Sequence, residues 1–166
     1  MSAMNRGLKE IMARTDELLL IETDGGCAYC GHKDSRALTI HHLTQSSPKN
    51  EDYDNKLILC HNCHHQYHAG KGATADELNN IKRRLIAKTL TRPGLNAMKQ
   101  AYRKGAVVAM PFLVNHLVEF GYLAQGEVVS QWSDDNTQGE VITIDATYSI
   151  TVDGKALLEK WGLKNS

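Results

Sequence analysis

The chain has 166 residues and a mass of 18.4 kDa, enough for one ordinary domain or two small ones. Hydrophobic residues make up 42% and charged residues 23%, so there is material for a core, and disorder as the main state is excluded. No apolar run approaches the ~20 residues of a membrane-spanning helix, and the 19 basic and 19 acidic residues cancel, which argues against indiscriminate coating of a polyanion.

Residues 6–21 place Leu8, Ile11, Met12, Leu18 and Leu19 near helical spacing, so an N-terminal amphipathic helix is expected over residues 1–22. Charges interrupt its apolar positions, as they would not in a signal-peptide core, and a cytoplasmic location is the expectation. Thr23-Asp24-Gly25-Gly26 ends that helix. Ala37-Leu38-Thr39-Ile40 and Lys56-Leu57-Ile58-Leu59 read as two short strands around a polar loop, residues 44–55. Residues after Cys60 are helix-compatible as far as His68, and Gly70-Lys71-Gly72 breaks the run.

Thr74 with Glu77 three residues later is a capping-box pattern, and Leu78, Ile81, Leu85 and Ile86 give the following helix an apolar face. Lys82, Arg83, Arg84 and Lys88 make the rest of it basic, and Pro93-Gly94 interrupts it. Residues 71–104 hold nine basic against two acidic residues, a positive block suited to phosphates, whereas residues 105–166 hold three against eight.

The last third reads as a separate unit. Leu95, Met98 and Tyr102 suggest a helix stopping near Gly105; Pro111 and Gly121 bracket another. The stretches 127–132 and 141–150 are rich in β-formers and flank a turn signal at residues 133–139, so a hairpin is expected. Ala156, Leu157, Leu158 and Trp161 mark a closing helix. The order helix, helix, hairpin, helix resembles a winged-helix module. The organisation expected is an N-terminal helix (1–22), a metal-binding unit (23–72), a basic helical segment (73–104) and a winged-helix-like unit (105–166). The fold class is α+β.

All four cysteines and every histidine except His116 lie between residues 27 and 68. Cys27-Ala28-Tyr29-Cys30 and Cys60-His61-Asn62-Cys63 are two C-x-x-C knuckles. Each presents two thiolates on one side, and two brought together make a closed tetrahedral sulfur site suited to structural zinc. The segment between them carries His41-His42. On the helix after Cys63, His64 and His68 lie four apart on one face, but so do His61 and His65, and spacing does not choose between the pairs.

The run Cys27-x-x-Cys30, Ile40-His41-His42-Leu43, Asn55, Cys60-x-x-Cys63-His64-x-x-x-His68 resembles the HNH nuclease superfamily, in the form whose ββα-metal motif is pinned by a four-cysteine zinc. The resemblance implies that His41, His64 and His68 hold a divalent metal, that His42 is the general base, and that Asn55 braces the loop carrying it. It also implies structural Zn²⁺ on Cys27, Cys30, Cys60 and Cys63, hydrolysis of DNA phosphodiester bonds to a 5′-phosphate and a 3′-hydroxyl, and DNA as partner. Many members have Asp where His41 stands. Three imidazoles favour Zn²⁺, Ni²⁺, Mn²⁺ or Co²⁺ over Mg²⁺, which prefers oxygen ligands. Arg36, Lys49 and Lys56 are candidates for phosphate contact, although solvated surface charge is the simpler reading for each.

Two other readings compete. A non-catalytic, zinc-stabilised DNA-binding or regulatory protein accounts for the basic block and the winged-helix-like tail. A redox or metal-buffer protein accounts for the knuckles but leaves His41, His42 and Asn55 without a use. The C-terminal unit could add DNA specificity or pair two chains; its acidic excess argues against broad DNA contact there, so a homodimer contact or a protein partner is an equal expectation.

Overall fold

A computed structural model describes residues 16–133 and 141–165. The fold is α+β, with two small antiparallel sheets and six helices among the described residues, and no described helix is long and apolar enough to cross a membrane. The chain divides into two compact units between Thr89 and Leu90.

Unit 1 opens with helix α1, described over residues 16–22, which buries Leu19 and Glu22. The Thr23 hydroxyl donates to the Leu19 carbonyl at 2.9 Å, and Asp24 (φ 53°) and Gly25 (φ 70°) turn the chain away from the helix. Residues 1–15 of the expected N-terminal helix lie outside the described residues.

Strands β1 (Leu38–His42) and β2 (Lys56–Cys60) pair antiparallel, with Leu38 opposite Cys60, His41 opposite Leu57 and His42 opposite Lys56. β2 is buried along its whole length, as its unbroken apolar run requires. Helix α2 (His61–His68) follows at once, with the Cys60 sulfur accepting from the Cys63 amide at its N-terminus. Cys27, Leu57, Leu59, Cys60 and Leu78 form the core, so two of the cysteines are themselves core residues.

Helix α3 (Ala75–Thr89) starts in the expected capping box: the Glu77 amide donates to the Thr74 hydroxyl at 3.2 Å, and the Glu77 carboxylate accepts from the Thr74 amide at 2.7 Å. Its basic face is not the continuous surface that the sequence suggests. Lys82 is fully buried and its ammonium donates to Glu22 of α1 at 2.7 Å, while Lys88 reaches Asp24 at 3.2 Å. Tyr53 donates its hydroxyl to the other Glu22 oxygen, and the Lys82 ammonium lies 3.8 Å from the Tyr53 ring centre. Burial pushes the Glu22 carboxyl up and Lys82 down, and each is partly restored by the other. This polar knot fastens α1 to α3 and to the loop before β2.

Unit 2 contains α4 (Arg92–Lys104), β3 (Ala106–Ala109), α5 (Pro111–Glu119), β4 (Leu123–Ser133), β5 (Val141–Ile150) and α6 (Val152–Lys160). The break between α3 and α4 falls at Leu90-Thr91. Pro93 lies in the first turn of α4, where its missing N–H costs nothing, rather than ending the preceding helix. The sheet order is β3-β5-β4, all antiparallel. β3 was not expected, so the unit runs helix, strand, helix, hairpin, helix. Residues 134–140, which hold most of the expected turn, lie outside the described residues. Packing forces a glycine at 154, where a Cβ would lie only 2.3 Å from the Tyr122 carbonyl oxygen; at Gly94 a Cβ would lie 3.0 Å from the tip of the Leu117 side chain, a tight contact.

Candidate metal centres

The two knuckles are brought together by the β1–β2 pair. Backbone bonds from Cys27 N to His32 O (2.8 Å) and from Gly31 N to Cys27 O (2.8 Å) fold the first knuckle, and Ala28 N to Ile58 O (2.9 Å) docks it on β2. The second knuckle is the β2–α2 junction itself. The four sulfurs all lie within 4.8 Å of one another, with Cys30 Sγ and Cys60 Sγ 3.7 Å apart. Sulfurs at ~2.3 Å from a tetrahedral zinc are about 3.8 Å apart, so the spacing fits that ion. Burial opposes ionisation of Cys27, but amides of Cys30, Cys60 and Tyr29 directed at its sulfur bring the thiol down to about 7. Burial and the neighbouring sulfurs of Cys60, Cys30 and Cys27 push the Cys63 thiol up, a crowding that a shared cation relieves. These four cysteines can hold a structural metal.

A second cluster sits beside the first. β1 supplies His41, and α2 supplies His64 and His68, one turn apart. Their ligand nitrogens also lie within 4.8 Å of one another, whereas His61 and His65 point to solvent and join neither cluster. The Nε2 atoms of His64 and His68 are 3.3 Å apart, close to the ~3.4 Å edge expected for nitrogens at 2.0–2.1 Å from a tetrahedral ion. The rings of His41, His64 and His68 are mutually tilted, with centroids 4.6 to 5.5 Å apart, and Tyr67 packs edge-on against His41 at 4.7 Å.

His41 is 1% exposed, and neither ring nitrogen has a hydrogen-bond partner. An orphaned buried imidazole is costly unless something else satisfies it, and a cation shared with His64 and His68 fits that vacancy of partners. Burial first, then the neighbouring His64 and His68, lower the His41 pKa to about 4; burial and His68 also lower His64. Both rings are therefore neutral and able to donate a lone pair near neutral pH. Where the cysteine cluster has four ligands, this one has three among the described residues, of which His41 is buried and His68 exposed.

His42, the next residue on β1, takes no part in that cluster. Its Nε2 lies 3.1 Å from Glu51 Oε1, and the other Glu51 oxygen accepts from Lys56 Nζ at 2.9 Å. Lys56 is buried, with its ammonium 3.6 Å from Asp16 as well, so it is not a phosphate-facing surface cation. Lys56 holds the Glu51 carboxyl below its usual range. Arg36 also has a partner, Asp34, at 3.2 Å on the surface. Glu51 carried no signal in the sequence, being one acidic residue in a polar loop.

Asn55 is 2% exposed and spends its whole side chain on the loop between the strands. Its Oδ1 accepts from Thr44 N at 2.9 Å, and its Nδ2 donates to Thr44 O at 3.2 Å and Asn50 O at 2.9 Å. Its carbonyl accepts from Leu43 N at 2.8 Å. Both ends of the loop that carries Glu51 are thereby tied to one residue.

Two strands and a helix that gather two separate ligand sets define a metal-binding ββα unit. Residues 27–70, which span that unit, match the family model described as HNH endonuclease. No curated protein and no solved structure matches the chain.

Proposed function

We propose that the chain is a metal-dependent HNH endonuclease that hydrolyses DNA phosphodiester bonds. The observation that carries this reading is the buried, unpartnered His41 ring beside His64 and His68, with a separately held imidazole, His42, at the next position. Zn²⁺ on Cys27, Cys30, Cys60 and Cys63 fixes the scaffold. A divalent ion on His41, His64 and His68 supplies Lewis-acid neutralisation of phosphate charge when bound.

His42 acts as general base: its free ring nitrogen takes a proton from water as the water oxygen forms a bond to phosphorus. The bond from phosphorus to the 3′ oxygen breaks, and that oxygen gains a proton, leaving a 5′-phosphate and a 3′-hydroxyl. Asn55 keeps the loop around His42 in place. Lys49, Lys71, Arg83 and Arg84 are exposed on unit 1 and supply the sequence-independent phosphate attraction that Lys82 and Lys56 do not.

Supercoiled plasmid nicking with Mn²⁺, Ni²⁺, Zn²⁺ and Mg²⁺, together with metal counting, tests the reading. Two metals per chain and nicking are expected. His41→Ala should leave one metal, and His42→Ala should keep two while losing cleavage. One metal per chain and no nicking would support a zinc-stabilised DNA-binding protein instead.

A further inference from the structure

The nuclease reading uses His42 but gives Glu51 no part. Glu51 lies in the loop between the strands, and its two oxygens are both occupied: Oε1 meets His42 Nε2 at 3.1 Å and Oε2 meets Lys56 Nζ at 2.9 Å. His42 and Lys56 are directly opposite each other on β1 and β2, so the carboxylate bridges a cross-strand pair at the mouth of its own loop. The residues on either side of Glu51 are fixed as well. Asn50 O accepts from Asn55 Nδ2 at 2.9 Å, and Asp52 N donates to Asn50 Oδ1 at 2.8 Å.

An ionised carboxylate only accepts, so the ring nitrogen that it meets must carry the hydrogen. With Nε2 donating to Glu51, the lone pair of a neutral His42 ring is on Nδ1. Carboxylates elsewhere serve imidazole bases in this way, fixing the tautomer and stabilising the imidazolium that forms. Lys56 completes the arrangement by holding the second oxygen, so that the carboxylate cannot rotate away.

We propose that Glu51, held by Lys56, is a positioning residue that orients His42 and fixes its hydrogen on Nε2, leaving Nδ1 as the atom that accepts the proton. The kinetic consequence rests on the nuclease reading; the tautomer does not. It follows that Asn55 acts on His42 partly through Asn50 and Glu51.

Glu51→Gln in the 166-residue chain, loaded with zinc, tests this. The amide keeps the shape, but its single oxygen goes to the Lys56 ammonium and its NH₂ group then faces His42. Nε2 must accept, and the ring hydrogen moves to Nδ1. In ¹H–¹⁵N spectra at mildly alkaline pH, with His42→Ala to assign the signals, wild type should show a protonated Nε2 and the variant a protonated Nδ1. The nicking kcat should fall at least about a hundredfold, with KM changed by less than about twofold. Glu51→Ala should lose the hydrogen-bonded ring proton altogether. A wild-type ring already protonated on Nδ1, or a Glu51→Gln variant that keeps the Nε2 proton and its kcat, overturns the proposal. If wild type nicks nothing while the ring proton moves as described, the Glu51 contact is upheld and the nuclease reading alone fails.

Discussion

Asn55→Ala should uncouple the loop from the strands it joins. The substitution removes three side-chain hydrogen bonds, at 2.9, 3.2 and 2.9 Å, from a residue that is 2% exposed. Each such bond contributes ~1 kcal/mol net, and the small space left behind adds to the loss, so about 2–4 kcal/mol is expected. For a unit of this size that lowers the melting temperature by roughly 10–20 °C. The Leu43 amide, which donates to the Asn55 backbone carbonyl, keeps its partner in the variant. The Thr44 amide, which donates to the side chain, does not. Hydrogen exchange of the zinc-loaded protein should therefore show protection lost at Thr44 and largely retained at Leu43 and at Ala28, which is docked on β2. If Thr44 exchanges as slowly in the variant as in wild type and the melting temperature is unchanged, Asn55 does not brace the loop.

Lys82→Met should destabilise unit 1 by about 3–5 kcal/mol at neutral pH, because it leaves the Glu22 carboxyl buried without its cation. Burial already raises the Glu22 pKa, and the variant raises it further. A raised acid is at its most favourable below the unfolded value near 4.5 and loses ground as pH climbs through the folded one, so the gap from wild type in chemical denaturation should widen between acid and neutral pH; a constant gap would refute this. Gly154→Ala should lower the stability of unit 2 by at least about 2 kcal/mol, since the added methyl meets the Tyr122 carbonyl and not a movable side-chain tip; an unchanged denaturation midpoint would show that α6 can shift. Cys30→Ser should weaken metal binding at the four-cysteine cluster and, because Cys63 adjoins His64 on α2, weaken Co²⁺ binding at the histidines at least about tenfold; unchanged Co²⁺ affinity in absorption titrations would show that the two clusters are independent.

Features with a fixed local period were legible in the sequence. The knuckles, the two short strands and the Thr74–Glu77 capping box each lie where a short spacing rule puts them. The features that were not legible depend on partners far apart in the chain. Lys82 belongs to a basic run, and nothing local separates it from Arg83; what buries it is Glu22, 60 residues away. Lys56 heads an apolar run and its sequence context suggests a solvated charge, but it is buried and paired with Glu51 and Asp16. β3 is illegible in the sequence for a different reason. Its four residues, Ala106–Ala109, are too short to show a period, and only pairing with β5 makes them a strand. The choice between the two histidine pairs on α2 was likewise open, because helical spacing is the same for both. It is the position of β1 that brings His41 to His64 and His68.

The adjacent histidines show how a two-residue word acquires two uses. Successive strand residues point to opposite sides, so His41 meets Tyr67 of α2 while His42 meets Glu51 of the loop. On the first side the ring is enclosed by Tyr67, His64 and His68, and burial there keeps it neutral and without a hydrogen-bond partner. On the other side a carboxylate fixes the ring. A one-residue slip of β1 against β2 would exchange these surroundings, placing the unpartnered ring beside Lys56 and the other against α2. The register is held where β1 meets the core: Leu38 faces Cys60, whose sulfur belongs to the four-cysteine cluster and also caps α2. The cysteine cluster therefore sets the positions of the strand and the helix together, and the separation of the two imidazole environments follows from that single constraint.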